Sequence, residues 1–422
     1  MKALIKKIIS SILILESKLI LKKYKPTIIA VTGTVGKTST KDAIFTVLSS
    51  VFHVRKSEKS FNSEIGVPLT ILGCHNGWND PFIWISNILE GLELIVFKSN
   101  YPKFLVLEVG ADHPHDIESI SKWLRIDVAV ITKIGDIPVH VEFFSSPAEV
   151  VKEKSYLIKS LKNDGTLILF ADDDKVNTLS QNFNKTILTF GINKMATVTA
   201  SSIFVLYDEN KLPQGMSFRI NFKGNSIPMK IVGAIGNQQV YPVIAAVAVG
   251  IANNIPISKI VDSFEHNLIP PGRMNIIKGK NGSIIIDDSY NSSPDALHEG
   301  LNALATLQVS GKRIAVLGDM MELGNFSTEE HRKAGVQALQ SCDVLITVGP
   351  RAKFMSKQGI HFNTSSEAGE YVAGIVGSGD VVFVKGSQSM RMERVSKALL
   401  AEPERAEELL VRQNKEWLAI MR

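Results

Sequence analysis

Cysteine is nearly absent: Cys74 and Cys342 are the only two in 422 residues. Two thiols cannot form a disulfide framework or a cysteine-rich zinc site, so a core must hold the fold and a reducing cytoplasm is the expected compartment. Aromatic residues are also scarce, at 7%, against 45% apolar and 21% charged residues. That balance is typical of a globular protein able to bury a sizeable core, and it argues against disorder. No repeat or low-complexity tract is present, and neither is a G-x-S-x-G elbow or a papain-like cysteine signature. No covalent protein nucleophile is therefore indicated. A chain of 422 residues exceeds one ordinary core, and two or three domains are expected.

The net charge of +5 is concentrated in one segment. Residues 1–26 hold seven lysines and one glutamate, a local +6, which leaves the rest of the chain near −1 (5 − 6). With no basic face elsewhere, counterion release cannot drive binding to nucleic acid, which argues against such a partner. Within the segment, Leu4, Ile5, Ile8, Ile9, Ile12, Leu15, Leu19 and Ile20 recur at helical spacing, interrupted by Lys6, Lys7, Glu16 and Lys18. The spacing predicts an amphipathic helix. Its charges fall too often for a membrane span, and no small-residue cleavage site follows. Docking on the protein's own surface is one reading, and peripheral contact with an anionic membrane is the other.

From Thr27 onward, β-branched runs alternate with helical patterns, the signature of parallel strand-helix-strand units. Strands are expected at Thr27–Thr32, Phe104–Glu108, Val128–Thr132 and Thr166–Phe170, with helices at Thr38–Ser50, Ile117–Leu124 and Ala148–Leu161. Between Val198 and Val232 the alternation suggests a small antiparallel insert, followed by helices at Gln238–Ala252 and Ile257–His266. The run Ile269-Pro270-Pro271-Gly272-Arg273 reads as a linker. A second α/β pattern follows, with strands at Ser283–Asp287, Arg313–Leu317, Val344–Val348 and Val381–Lys385, helices between them, and a charged terminal helix from about Pro403.

The strongest local signal is Thr32-Gly33-Thr34-Val35-Gly36-Lys37-Thr38-Ser39, placed between an apolar strand and a helix. Glycines let backbone N–H groups crowd around phosphate oxygens, a helix start favours anions, Lys37 adds positive charge, and Thr38 can hold Mg²⁺. Val31 stands where the usual P-loop has glycine, so this is a shortened variant. Glu108, ending an apolar strand, is either a metal ligand at the crevice edge or a solvated strand cap. Taken alone, His140 reads as a loop or core histidine or as a metal or phosphate contact, and Lys154 as a solvated helix lysine.

Eight motifs stand in order: Thr32–Ser39, Asn62–Pro68 (NSEIGVP), Glu108–Asp112, His140, Pro271–Arg273, Asp287–Pro294 (DDSYNSSP), Leu317–Gly324 (LGDMMELG) and Lys385–Glu393 (KGSQSMRME). Together they resemble the Mur ligases of peptidoglycan synthesis over about residues 27–400, most nearly the branch that adds D-alanyl-D-alanine. Beyond the basic helix read over 1–26, the resemblance implies an α/β protein with a central P-loop ATPase domain with a mostly parallel sheet over 27–269 and a C-terminal Rossmann-like α/β domain over 270–422. It also implies an ATP-dependent, ADP-forming ligase that converts a carboxylate to an acyl phosphate and joins it to an amine. The substrates implied are a muramyl peptide and the dipeptide D-alanyl-D-alanine.

Residue roles follow from the same likeness. Gly33, Thr34, Gly36, Lys37, Thr38 and Ser39 would cradle ATP, with Arg273, Asp288 and Asn291 as further nucleotide contacts. Thr38 and Glu108 would hold one Mg²⁺, and His140 with a carbamylated Lys154 a second. Lys37, Glu108, His140 and Lys154 would thus be the catalytic set, while Asn62, Lys385 and Ser387 would face the substrates. The family's usual N-terminal UDP-binding domain has no counterpart before the P-loop strand. Lys133 replaces a common asparagine, Tyr156 stands for an acid, and Gln238 and Pro242 take the places of a histidine and an asparagine at a helix start. Other readings are a ligase of the superfamily with a folate-like or polyamino-acid acceptor, and a nucleotide-binding scaffold without catalysis. The presence of Lys37, Glu108, His140 and Lys154 argues against the scaffold.

Overall fold

The computed structural model describes residues 2–58, 61–181, 183–265, 269–356 and 359–419. They fall into two compact units. One comprises Met1–Gly135, Phe143–Thr199 and Tyr241–Glu265, and the other Asp136–Glu142, Ala200–Val240 and His266–Arg422.

In chain order the first unit holds α1 (Lys2–Tyr24), β1 (Thr27–Thr32), α2 (Lys37–Ser49), β2 (Val54–Lys56), α3 (Gly66–Leu72), α4 (Pro81–Val96), β3 (Phe104–Glu108), α5 (Asp116–Ser121), β4 (Ile126–Ile131), α6 (Pro147–Lys159), β5 (Leu161–Phe170), α7 (Asp174–Thr178) and β6 (Ile187–Gly191). Its strands pair in parallel in the order β2-β3-β1-β4-β5-β6. β1 and β3 are sandwiched between helices, and Ile28–Val31 and Phe104–Leu107 are buried. That is why both read as unbroken apolar runs rather than alternations. The expected bounds of β1 and β3 coincide with those observed, while β4 begins two residues earlier than expected and β5 five.

α1 packs on this unit. Leu13, Ser17 and Ile20 are buried on one of its faces. At its end, Lys23 Nζ donates to the carbonyls of Leu94 (2.9 Å) and Ile95 (3.0 Å), and Tyr24 Oη donates to that of Leu94 (3.0 Å). These bonds satisfy the last carbonyls of α4 and set a cation at its negative end. α4 itself was not anticipated, although Asp80 caps its first turn by accepting from Phe82 N (2.8 Å) and Pro81 follows at the first helical position.

β7 (Val198–Tyr207) starts beside β6, pairing Phe190 with Val198 and Gly191 with Thr199. β8 (Pro213–Phe222) and β9 (Asn225–Val232) form an antiparallel pair turned at Lys223-Gly224, matching the expected insert. α8 (Asn237–Ala252) and α9 (Ile257–Asp262) follow. The expected helix end at His266 lies outside the described residues.

The second unit continues with β10 (Asn275–Lys278), β11 (Ile284–Asp288), α10 (Pro294–Thr306), β12 (Arg313–Gly318), α11 (Ser327–Ser341), β13 (Val344–Val348), β14 (Ile360–Phe362), α12 (Ser365–Ile375), β15 (Val381–Lys385), α13 (Glu393–Leu399), α14 (Ala406–Leu409) and α15 (Lys415–Leu418). The sheet order is β10-β11-β15-β12-β13-β14, with β10 antiparallel and the rest parallel. The single terminal helix expected from Pro403 is not formed. A 3₁₀ turn over Pro403–Arg405 leads into two four-residue helices. Leu410 and Val411 between them are buried, and Arg412, at φ 59°, turns so that Nη2 lies 2.8 Å from the buried Glu393 carboxylate. Burial of that pair overrides the helical pattern of charges.

Candidate functional site

β1 ends at Thr32, and the chain turns through Gly33 (φ 145°) and Gly36 (φ 84°) into α2. A Cβ on Gly33 would lie 2.0 Å from Thr132 Oγ1, so glycine is required by both space and backbone conformation. Thr34 N and Val35 N donate to Lys133 O (2.8 and 3.1 Å), and Lys37 Nζ donates to Thr34 O (3.3 Å). The loop after β4 therefore shapes the turn through the Lys133 carbonyl, a backbone contact that any residue at this position can make. Gly36 caps α2 without a side chain, so the N–H groups of the first turn face a place suited to an anion.

Glu108 is buried at the end of β3, in register beside Val31, and its N–H donates to Ser57 Oγ (3.1 Å). Its carboxylate lies 4.0 Å from Nζ of the buried Lys41, which is also 3.3 Å from Asp42. Gly110 N donates to Asn62 O (2.8 Å), which brings Asn62 to the same strand end. Lys154 is buried in α6 rather than solvated. Burial, with Lys37 nearby, lowers its ammonium pKa from 10.5 to about 7, against the opposing pull of Asp112 and Glu153. Lys37, Glu108, Asn62 and Lys154 thus all belong to the first unit, and Lys37 and Lys154 sense each other's charge.

His140 belongs to the second unit, where its Nδ1 lies 2.8 Å from a Glu322 carboxylate oxygen. The other candidates of that unit gather at the carboxyl ends of three parallel strands. Asp288 on β11 is the register partner of Lys385 on β15, and their side chains form a buried ion pair at 2.5 Å. Lys385 Nζ also donates to Asn291 O (2.9 Å), and Gln388 N donates to Asn291 Oδ1 (3.3 Å). Burial pushes the Asp288 carboxyl up from its usual value, while Lys385 opposes that shift. Ser387 Oγ accepts from Met321 N (2.9 Å), and Ser387 N donates to Asp319 O (3.0 Å). Arg273 stacks its guanidinium on Tyr290, 4.0 Å from the ring centre.

At the start of α8, the amide of Gln238 is buried and no described residue bonds either its Oε1 or its Nε2. Both polar ends of this amide are therefore left without a protein partner among the described residues.

Three contributors were missed from sequence. Lys41 lies one helical turn after Lys37, a spacing that could have flagged it. Asp173, just past β5, accepts from Ile134 N and Gly135 N (both 2.9 Å) and holds the loop after β4. The strand-end rule that selected Glu108 applies to it equally. Asp319, just past β12, accepts from Arg351 N (3.0 Å) and Ala352 N (2.7 Å).

Comparison with known proteins identifies the Mur ligase middle domain over residues 86–250 and the Mur ligase glutamate ligase domain over residues 272–388. The chain is 28% identical to a UDP-N-acetylmuramoyl-tripeptide--D-alanyl-D-alanine ligase of Bacillus subtilis, covering 92% of this chain and 79% of the relative. A similar enzyme of Escherichia coli is 26% identical over 88% of this chain and 76% of its own length. Among solved structures, the MurF ligase of Thermotoga maritima in complex with ADP superposes with a TM-score of 0.78 at 26% identity, covering 94% of this chain and 84% of that one. Two domain models of one family in their proper order, on an α/β fold shared with its members, lead to one conclusion: the chain belongs to the Mur ligase family.

Proposed function

We propose that this chain is an ATP-dependent, ADP-forming ligase that adds D-alanyl-D-alanine to a UDP-muramyl-tripeptide. The observation that carries the reading is the uncapped, glycine-shaped start of α2 with Lys37 and the buried Lys154 close by, in a chain similar over most of its length to ligases of that name.

A carboxylate is a poor electrophile and must be activated before an amine can attack it. First-turn N–H groups of α2 and Lys37 would hold the ATP phosphates, so that the substrate carboxylate takes the γ-phosphoryl group and ADP departs. The amine of the dipeptide then attacks the acyl phosphate, and phosphate leaves. Gln238 is suited to the adenine, and Arg273, Asp288 and Asn291 to the rest of the nucleotide. Lys385 and Ser387 are proposed for the incoming dipeptide and Asn62 for the muramyl substrate.

Mg²⁺ would neutralise charge on the transferred phosphoryl group. Thr38 and Glu108 are the proposed donors for one ion, His140 and carbamylated Lys154 for the other. The lowered Lys154 pKa supports carbamylation, because only the neutral amine adds CO₂. We place the functional boundary at Pro270, between a nucleotide-binding part over 27–269 and a dipeptide-binding part over 270–422. The two free cysteines fit a cytoplasmic location, with residues 1–26 at the inner membrane face.

The test is phosphate release from ATP with UDP-muramyl-tripeptide and D-alanyl-D-alanine together, against other dipeptides and single amino acids. Release should need both partners and fall about 100- to 1000-fold in Lys37→Met, the scale of removing one charge-stabilising donor. Stimulation only by another acid-amine pair would replace the acceptor, and none by any pair would sink the ligase reading. A carbamate carbon signal after incubation with ¹³C-bicarbonate, absent in Lys154→Arg, would support the modified lysine.

A further inference from the structure

The outer face of α4 exposes a run of large apolar side chains. Phe82, Ile85, Leu89, Leu92 and Val96 are 79%, 55%, 60%, 46% and 69% exposed. Their spacing of three and four residues sets them in one stripe. Buried Asn87 and Gly91 lie about half a turn away at 3.6 residues per turn, so the stripe points away from the core. Trp78 and Phe97, 80% and 64% exposed, stand at its two ends.

α1 repeats the pattern. Ile8, Leu15 and Leu19 are exposed on the side away from buried Leu13, Ser17 and Ile20. Lys7, Lys18 and Lys22 border that strip and are exposed as well. The two helices pack together: Glu16 lies on Gly91, where a Cβ would meet its carboxylate at 2.4 Å, and Lys23 binds the end of α4. No helix among the described residues is long and apolar enough to cross a membrane. A stripe this long exceeds the scattered apolar residues of an ordinary surface and marks an interaction site.

The geometry points to an anionic lipid surface as the occupant, with the α4 stripe entering the headgroup boundary and the α1 lysines meeting the lipid charge. This extends the proposed membrane-facing role of residues 1–26 to a second helix, and it does not depend on the ligase reaction. The charge argument selects lipid: three lysines of the basic segment, Lys7, Lys18 and Lys22, border the apolar strip, and aromatic residues sit at the ends of the α4 stripe, the arrangement of interfacial helices. The exposed acids of α4, Glu90 and Glu93, lie beside the stripe rather than on it.

The experiment is flotation of the whole chain with phosphatidylglycerol-containing vesicles and with pure phosphatidylcholine vesicles, at low and high salt. Binding should appear with the anionic vesicles and weaken with salt. The exposed triple change Phe82→Ser, Leu89→Ser, Val96→Ser should lower partitioning at least about tenfold, since each inserted side chain contributes to transfer in proportion to its area. Lys18→Gln with Lys22→Gln should lower it less and reduce the salt effect. Both variants should keep the wild-type rate of phosphate release without vesicles, which separates this test from that of the ligase reading. No binding to anionic vesicles, equal binding to neutral ones, or a concentration-dependent dimer that the triple change abolishes would overturn the proposal.

Discussion

The glycine turn of the first unit and the strand-end cluster of the second are both carboxyl-end sites of parallel sheets, yet they are built from opposite materials. At the turn, the chemistry comes from backbone: two positive-φ glycines, an uncapped helix start, and one buried lysine whose charge is suppressed. At the cluster it comes from side chains that already have partners, Asp288 with Lys385 and Ser387 with the backbone N–H of Met321. A site that must receive a polyanion gains from donors awaiting a partner. A site that must present side chains at fixed angles gains from charges that restrain each other.

The comparison is broken most severely at the cluster. Lys385→Met should strip the buried Asp288 of its ion-pair partner, leaving only the weaker pull of Arg273, and cost about 3–5 kcal/mol of stability. Chemical unfolding should show this as a lowered midpoint. An Asp288→Asn, Lys385→Met double variant should recover much of the loss, whereas equal instability of both would mean the pair is not mutually compensating. At the turn, Gly33→Ala should cost about 1–3 kcal/mol, because a left-handed backbone and the Thr132 hydroxyl both reject a Cβ. Nucleotide affinity should fall with it, as measured by calorimetry, while Ala at the open Gly374 should leave affinity unchanged.

The smallest effect is expected away from both sites. Burial raises the Glu16 carboxyl from 4.5 to about 7, and no described residue bonds its oxygens. The docked form holds its proton where the undocked form has lost it. Docking of α1 is therefore best supported below about pH 4.5, weakens as pH rises towards about 7, and is constant above. Glu16→Gln should remove that slope and protect α1 amides from hydrogen exchange at neutral pH. A slope that persists in the variant would assign it to another group.

Much of this was legible beforehand where one physical signal dominated. The unbroken apolar runs of β1 and β3 located both strands, and the glycine-lysine turn located α2, because burial on both faces and phosphate geometry leave few alternatives. Short or context-dependent elements were not legible. β14 and α14 are too brief for a periodic signal, and α4 hid because its apolar stripe faces outward rather than marking a core. The burial of Lys154 was not legible, since nothing in Lys152-Glu153-Lys154 announces it, and the proposal that it is a modified ligand rests on family likeness.

By itself the sequence determined the alternation of strands and helices, the glycine-lysine turn between β1 and α2, and the order of the motifs, all consequences of local backbone chemistry and hydrophobic spacing. Tertiary structure decided the rest: that Lys154 is desolvated, that Asp288 and Lys385 meet across neighbouring strands 97 residues apart, and that the C-terminal segment forms two short helices with Arg412 turned between them. Desolvation and long-range pairing depend on what surrounds a side chain, and no window of neighbouring residues contains that information.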